Sequence, residues 1–287
     1  MGKLFAGLER FGLNNMKDME VFHEETKKEE EKKQPEVKNE ITEADLLFEK
    51  TYTCPVCDTT FKAKTIRTGK AKLLSADTDL RPRYQGVDCL KYDAIVCTKC
   101  GFAALGRFFS SKYITPVQAK FIKEQVSSSF RGLPEEGEIL TYDDAIMRHK
   151  LALANTVVKK AKISERAYTC LKLAWVLRGK AESLSKDDPN YAAQVKELKE
   201  EEDECILNAY EGFQQAFSKE TFPMCGMDEI TTTYLEAELA RRCRRFDEAG
   251  RWIAQILTSR QANERIKNKA REIKELINED KERLGIK

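Results

Sequence analysis

Histidine is scarce in this chain: 287 residues contain two, His23 and His149. A catalytic triad or a histidine-rich metal centre cannot be assembled from so few. Long apolar runs are also missing. No stretch approaches the roughly 18–20 consecutive apolar residues of a membrane span, so a spanning helix is excluded and no membrane partner is expected. Residues 1–19 scatter Leu4, Phe5, Leu8, Phe11 and Leu13 among Lys3, Glu9, Arg10 and Lys17. They offer no continuous apolar region and no small-residue cleavage site, so they do not read as a secretory signal. Nor does one sign of charge dominate. Fifty Lys and Arg against 48 Asp and Glu leave a net charge of +2, which excludes a polycation of the nucleic-acid-binding type and makes any basic patch local. Glycine-rich phosphate-binding loops of the P-loop or Rossmann kind are absent. Together these absences point to a cytoplasmic protein.

What the chain does have is nine cysteines, 41% hydrophobic residues and 34% charged residues. That length and apolar content can fill two compact cores. Four cysteines form two CxxC pairs; Cys89, Cys170, Cys205, Cys225 and Cys243 are scattered singly, mostly within helical patterns. A disulfide framework belongs to smaller, loop-rich chains in oxidising compartments, so the scattered five read as small buried hydrophobes.

The organisation follows from texture. Residues 1–40 combine an amphipathic segment (Leu4, Leu8 and Phe11 at near-helical spacing) with a charged linker, EETKKEEEKKQPEVKNE, that cannot bury a core. Residues 41–115 read as a small β domain with strands at 47–53, 60–67, 70–75 and 91–96. Thr68-Gly69 between the second and third is suited to a tight hairpin. Residues 116–287 read as helical, with helices at 116–130, 141–161, 164–180, 191–219, 228–243, 246–258 and 262–283. The expected fold class is therefore α+β: a zinc-ribbon-like front end and a mostly helical back end. Three segments share a stripe of an alanine, a bulky residue four later and a small or apolar residue three beyond: Ala145/His149/Ala152, Ala209/Phe213/Ala216 and Ala249/Ile253/Ile256. That stripe suits tetratricopeptide-type hairpins, whose neighbouring helices approach over small residues. A plain antiparallel bundle also places small residues at its contacts, and the spacing between copies is uneven.

The strongest chemistry lies in Cys54-Pro-Val-Cys57 and Cys97-Thr-Lys-Cys100-Gly. Two-residue spacing lets both sulfurs of a tight knuckle face one ion, and four thiolates make a closed tetrahedral site for one structural Zn2+. Iron and a redox pair are the alternatives. Short ribbon-like strands favour zinc over an iron–sulfur centre, and a thioredoxin-type pair would leave the second CxxC without a purpose. A β domain this small needs such a staple. Cys89 could be a fifth sulfur nearby, or a small residue in a loop.

The chain resembles the bacterial domain-of-unknown-function family 2225. The resemblance is carried by Leu47-Phe48, by Tyr52 and Cys54-Pro-Val-Cys57, by Asp77-Thr-Asp-Leu-Arg-Pro-Arg-Tyr84, and by Lys91-Tyr-Asp-Ala-Ile-Val-Cys97 through Ala103. Farther on it is carried by Lys150-Leu-Ala-Leu153, Ser164-Glu165, Leu173-Ala-Trp175, Phe222-Pro223, Tyr234-Leu235 and Phe246-Asp-Glu-Ala249. It implies a zinc-ribbon-like front end, a tetratricopeptide-like back end and no established activity. Where the family pattern implies Asn-Pro and a Cys-Pro knuckle, this chain has Asp88-Cys89 and Cys97-Thr98; neither change removes a ligand.

Other candidates carry two readings each. In the 77–84 segment, Asp77, Asp79, Arg81, Arg83 and Tyr84 form either a recognition loop for an anionic or peptide ligand, or a turn locked by Asp–backbone bonds and Asp–Arg pairs. The run Arg241 to Arg245, with Arg241 and Arg242 as a possible partner surface, is either a phosphate or RNA contact or a solvated helix end. Trp175, Trp252 and His149 lie on helix stripes and read as core. The resulting reading is a zinc-binding interaction scaffold for a protein or peptide partner. Its helices at 164–180 and 228–243 would expose Lys172, Glu236, Arg241 and Arg242. A nucleic-acid binder using the ribbon and the arginine run is one rival, and an enzyme of unknown reaction is the other.

Overall fold

Beta-branched and aromatic residues between 47 and 66 set up the first pairing. In a computed structural model, which describes residues 42–286, Leu47–Thr53 (β1) pairs antiparallel with Thr60–Ile66 (β2), Leu47 opposite Ile66 and Thr53 opposite Thr60. The amphipathic segment and the linker assigned to 1–40 lie outside the described residues. One face of this hairpin places Tyr52, Phe61 and Ala63 in a core shared with Phe102, Phe108 and Phe109. Two more short hairpins follow: Leu73–Ala76 (β3) with Pro82–Tyr84 (β4), and Ala94–Val96 (β5) with Ala103–Leu105 (β6).

The turn expected at Thr68-Gly69 is present. Lys70 N donates to the Arg67 carbonyl, and Gly69 takes φ +75°, which glycine adopts without a Cβ clash. Its expected pairing is not, because β3 pairs with β4 instead of β2. The strand expected over 91–96 is shortened to β5, because Cys89–Tyr92 forms a 3-10 turn capped by Asp88, whose side chain accepts from Leu90 N.

Among the described residues seven α-helices follow: Pro116–Ile122 (α1), Tyr142–Val158 (α2), Ile163–Ser183 (α3), Tyr191–Lys219 (α4), Glu229–Arg242 (α5), Phe246–Thr258 (α6) and Glu264–Leu284 (α7). Their starts are written in the sequence. Thr115 and Thr141 make reciprocal capping boxes with Gln118 and Asp144, and Asp228 and Asn263 accept from the third helical amide. The helix expected over 116–130 is interrupted, α1 passing into a π-helical turn at Lys123–Ser127.

All nine stripe residues are buried, none more than 3% exposed. Ala152 does a second job: with Ala94, Val96 and Ala103 it forms an interface of small side chains that lets β5 and β6 lie against α2. α3 runs between α2 and α4 and antiparallel to both, as shown by Lys180 meeting Asp143, Gly212 packing on Ala167, and Arg178 reaching Glu202. In α5 every residue from Thr232 to Ala240 is buried. A helix buried all round shows no single apolar stripe, which is why the sequence alone made it look half-exposed.

Candidate metal centre and the surrounding charge network

Both CxxC pairs fold into the same knuckle. In the first, Cys54 N donates to the Thr59 carbonyl and Asp58 N to the Cys54 carbonyl; in the second, Cys97 N donates to Phe102 and Gly101 N to Cys97. The residue after each pair adopts positive φ, +59° at Asp58 and +72° at Gly101. Gly101 is also needed for space, since a Cβ there would lie 2.6 Å from Phe130 Cγ.

The knuckles bring the sulfurs of Cys54, Cys57, Cys97 and Cys100 within 4.8 Å of one another. Cys54 Sγ lies 3.6 Å from Cys100 Sγ, and Cys57 Sγ 3.7 Å from Cys97 Sγ. A tetrahedral ion with bonds of about 2.3 Å to sulfur requires S···S edges of about 3.8 Å. The donor set and spacing therefore fit a metal ion, and the four cysteines could hold one. The sulfurs already behave as a linked set. Contact with Cys100 raises the Cys54 thiol, contact with Cys54 lowers Cys100, and burial pushes Cys97 up to about 11. Ion binding would release the thiol protons. Cys89 stands outside this cluster; burial raises its thiol to about 11, and it lines a 270 Å³ pocket with Tyr84, Asp93 and Lys172.

The 77–84 segment turns inward. Asp77 takes a two-point contact from Arg83, 2.7 Å from Nε and 2.8 Å from Nη2. Asp79 is fully buried and is gripped by Arg178, with Nη2 2.6 Å from Oδ2. Burial raises its pKa, but Arg242 and Arg178 outweigh that and hold the carboxyl below its ordinary value. Arg81, buried, bridges Asp88 and Glu182, and Thr78 Oγ1 donates to Glu238 at 2.6 Å. Tyr84 is half-buried beside Pro82. The Asp77–Arg83 pair lies within the segment, as the locked turn has it, but Asp79 is paired outside it, and the partners Arg178, Glu182, Glu202 and Glu238 come from α3, α4 and α5 and were not anticipated. The one signal for them is Arg178 itself, a cation directly after the apolar run Leu173 to Leu177.

The same network corrects the surface expected on α3 and α5. Arg241 pairs with Glu238 at 2.8 Å and with Asp280; Arg242 pairs with Glu238 at 3.0 Å and approaches Asp79 and Glu202. Lys172 is buried 2.9 Å from Asp93, with its ammonium over the rings of Tyr168 and Trp175. Glu236 is fully buried with no partner for either carboxyl oxygen. Lys172 and Glu236 are buried and Arg241 and Arg242 half-buried: Asp93, just before β5, meets Lys172, the 77–84 loop brings Asp79 to Arg242, and α7 brings Asp280 to Arg241. His149 is core as expected, its Nδ1 2.7 Å from the Ala145 carbonyl. Trp175 is buried and Trp252 half-buried against Phe217.

On the opposite side of α3 a groove of about 620 Å³ remains open. Its floor is Ile163, Ala167, Cys170 and Leu173; one wall is Leu153, Ala154 and Val157 of α2, and the other is α4 from Glu201 to Gln215. Lys150 and Glu201 pair across one end at 2.5 Å. Among the described residues, no cation lies within 4 Å of the exposed Glu204 or Glu211 carboxylates. No helix among the described residues is long and apolar enough to cross a membrane.

The family described as "Uncharacterized protein conserved in bacteria (DUF2225)" matches residues 47–277. No curated protein and no solved structure matches the chain.

Proposed function

The chain belongs to DUF2225, and for this member we propose a zinc-stapled scaffold that captures an amphipathic helix of a partner protein. The observation that carries this reading is the groove between α2, α3 and α4. Its α4 wall from Glu201 to Gln215 is about 20 Å long, matching three to four turns of helix. An apolar floor beneath charged rims is the setting in which helices bind by residues at i, i+3, i+4 and i+7. The uncompensated Glu204 and Glu211 select a partner with one basic edge. Zinc is the ion proposed for the four cysteines, since four sulfurs at tetrahedral spacing leave no open position for water and suit a structural role. The cytoplasmic location belongs to the same proposal and is supported by nine free cysteines. A tetratricopeptide-like ancestry for the helices is consistent with the buried alanine stripes. The arginine run supports a nucleic-acid reading less well, because Arg241 and Arg242 are committed to carboxylates.

The test is selection from a displayed library of amphipathic helical peptides. Enriched sequences should carry lysine or arginine along one edge and lose binding to a Glu204→Lys/Glu211→Lys protein and to Val157→Arg. All three positions are exposed, so stability should stay within about 0.5 kcal/mol of the parent. No enrichment, or binding indifferent to both variants, would remove the groove from consideration.

A further inference from the structure

The chain carries no acidic residue between Asp58 and Asp77, yet Lys62, Lys64, Arg67, Lys70 and Lys72 fall inside that interval. In a protein of net charge +2 this is a local excess of one sign. Two of the five are answered within the fold, Lys62 by Glu49 at 3.1 Å and Lys64 by the Gly137 carbonyl. Arg67 gives its Nε to the Leu47 carbonyl, and among the described residues no carboxylate lies within 4 Å of Arg67, Lys70 or Lys72. All three are exposed around the turn at Gly69, where open space surrounds the chain.

Directly beyond them stand Leu73 and Leu74, 57% and 58% exposed. Neighbouring side chains in an unbroken strand point to opposite faces, so one of two leucines would normally turn inward. Here the register slips between Leu73 and Ser75. A bulge of this kind leaves the extra residue unpaired and re-aims its side chain. All four residues of β3 are exposed. Two adjacent bare leucines beside three exposed cations, of which Lys70 and Lys72 have no carboxylate partner among the described residues, combine apolar area with attraction for anions.

The two features select one partner chemistry. A nucleic-acid strand would use the cations but gains little from leucine, because bases stack on planar rings. An anionic bilayer uses both: apolar side chains enter the boundary below the headgroups while lysine and arginine remain at the phosphates, and the pairing of two weak signals is what gives stable attachment. We propose that the 67–74 turn seats this protein on an anionic lipid surface, with Leu73 and Leu74 inserted and Arg67, Lys70 and Lys72 at the headgroups. The expectation of no membrane partner rested on the lack of a spanning helix, and lying on a surface requires none.

The test is sedimentation of the full chain with vesicles of phosphatidylcholine alone or of phosphatidylcholine with phosphatidylserine. Binding is expected only to the second kind and should weaken as salt rises. Lys70→Gln/Lys72→Gln should lower affinity about twenty-five-fold, at about five-fold per lysine. Leu73→Ser/Leu74→Ser should lower it at least about ten-fold through lost apolar burial. Circular dichroism of both variants should match the parent, since the altered side chains are exposed. Failure to bind phosphatidylserine vesicles, or binding unchanged in both variants, overturns the proposal. So does capture of a single-stranded oligonucleotide that depends on the lysines and ignores the leucines, with no vesicle binding; that result assigns the turn to nucleic acid.

Discussion

Asp79→Asn is the substitution that separates a latch from a recognition loop. The Asp79 carboxylate is fully buried, takes Arg178 at 2.6 Å and 3.2 Å, and has Arg242 at 3.6 Å. Removing one partner of a buried ion pair costs about 3–5 kcal/mol. Arg178 would keep Asp77 and Glu202, and Arg242 would keep Glu202 and Glu238. The loss should therefore fall near the lower end, about 3 kcal/mol. Urea unfolding followed by fluorescence of the buried Trp175 reads this directly. The more exposed Arg83→Gln serves as the comparison and should cost only about 1 kcal/mol. The pH dependence supplies a second reading. Because its folded pKa lies below the unfolded one, Asp79 contributes stability above the unfolded carboxylate value of about 3.9 and loses it as pH falls through the folded value. The gap between parent and variant should be widest near neutrality and close in acid. An Asp79→Asn protein within about 0.5 kcal/mol of the parent at pH 7 would refute the latch and return the segment to the list of ligand-binding loops.

Three further outcomes are expected. Elemental analysis should find one zinc per chain, lost in Cys97→Ser; structural zinc is worth about 10–16 kcal/mol apparent in small peptides, so the 47–105 region should unfold with it. Glu236→Gln should stabilise the protein at neutral and alkaline pH. Burial, with Glu248 nearby, raises the Glu236 pKa well above its ordinary value, so its folded state withholds a proton that the unfolded state releases; stability is full below the unfolded pKa and falls as pH rises. Thermal melts from pH 5 to 9 should show a flatter profile for the variant, and a parallel one would mean the carboxylate finds a partner. Finally, a 116–287 fragment tests the division of the chain: with chelator present it should be helical by circular dichroism but melt lower than the whole chain, because Ile122, Ala152, Val158 and Tyr168 lose neighbours contributed by residues 54–109. Equal melting points would make the two parts energetically independent.

Local chemistry was legible in the sequence, and covering contacts were not. The CxxC spacing defined the sulfur cluster because a two-residue knuckle permits little else, and β1, α4 and α6 start and stop where the pattern places them, at Leu47–Thr53, Tyr191–Lys219 and Phe246–Thr258. Capping residues and alternating strands act within a few residues of themselves. By contrast, β4 and β6 are three residues long, too short for periodicity to register. Glu236, Arg241, Arg242 and Lys172 were read as surface because a charged side chain on a helix is usually solvated. Their partners lie far away in the chain, Asp93 for Lys172, Asp79 for Arg242 and Asp280 for Arg241, and no periodicity within α3 or α5 reports their arrival.

Because the latch joins segments so far apart, it also sets an order for assembly on the ribosome. Both knuckles have been made once Cys100 has emerged, so the sulfur cluster can close early. The loop strung between them cannot: Thr78 waits for Glu238, 160 residues later. At about 5–20 residues per second that interval is about 8–30 s. During it Asp77 and Asp79 hang from the closed sulfur cluster, and the arginines they will meet in α3 and α5 arrive one after the other. The staple is thus a placeholder in time as well as in space, holding the loop's two ends in register until the helices come to claim its middle.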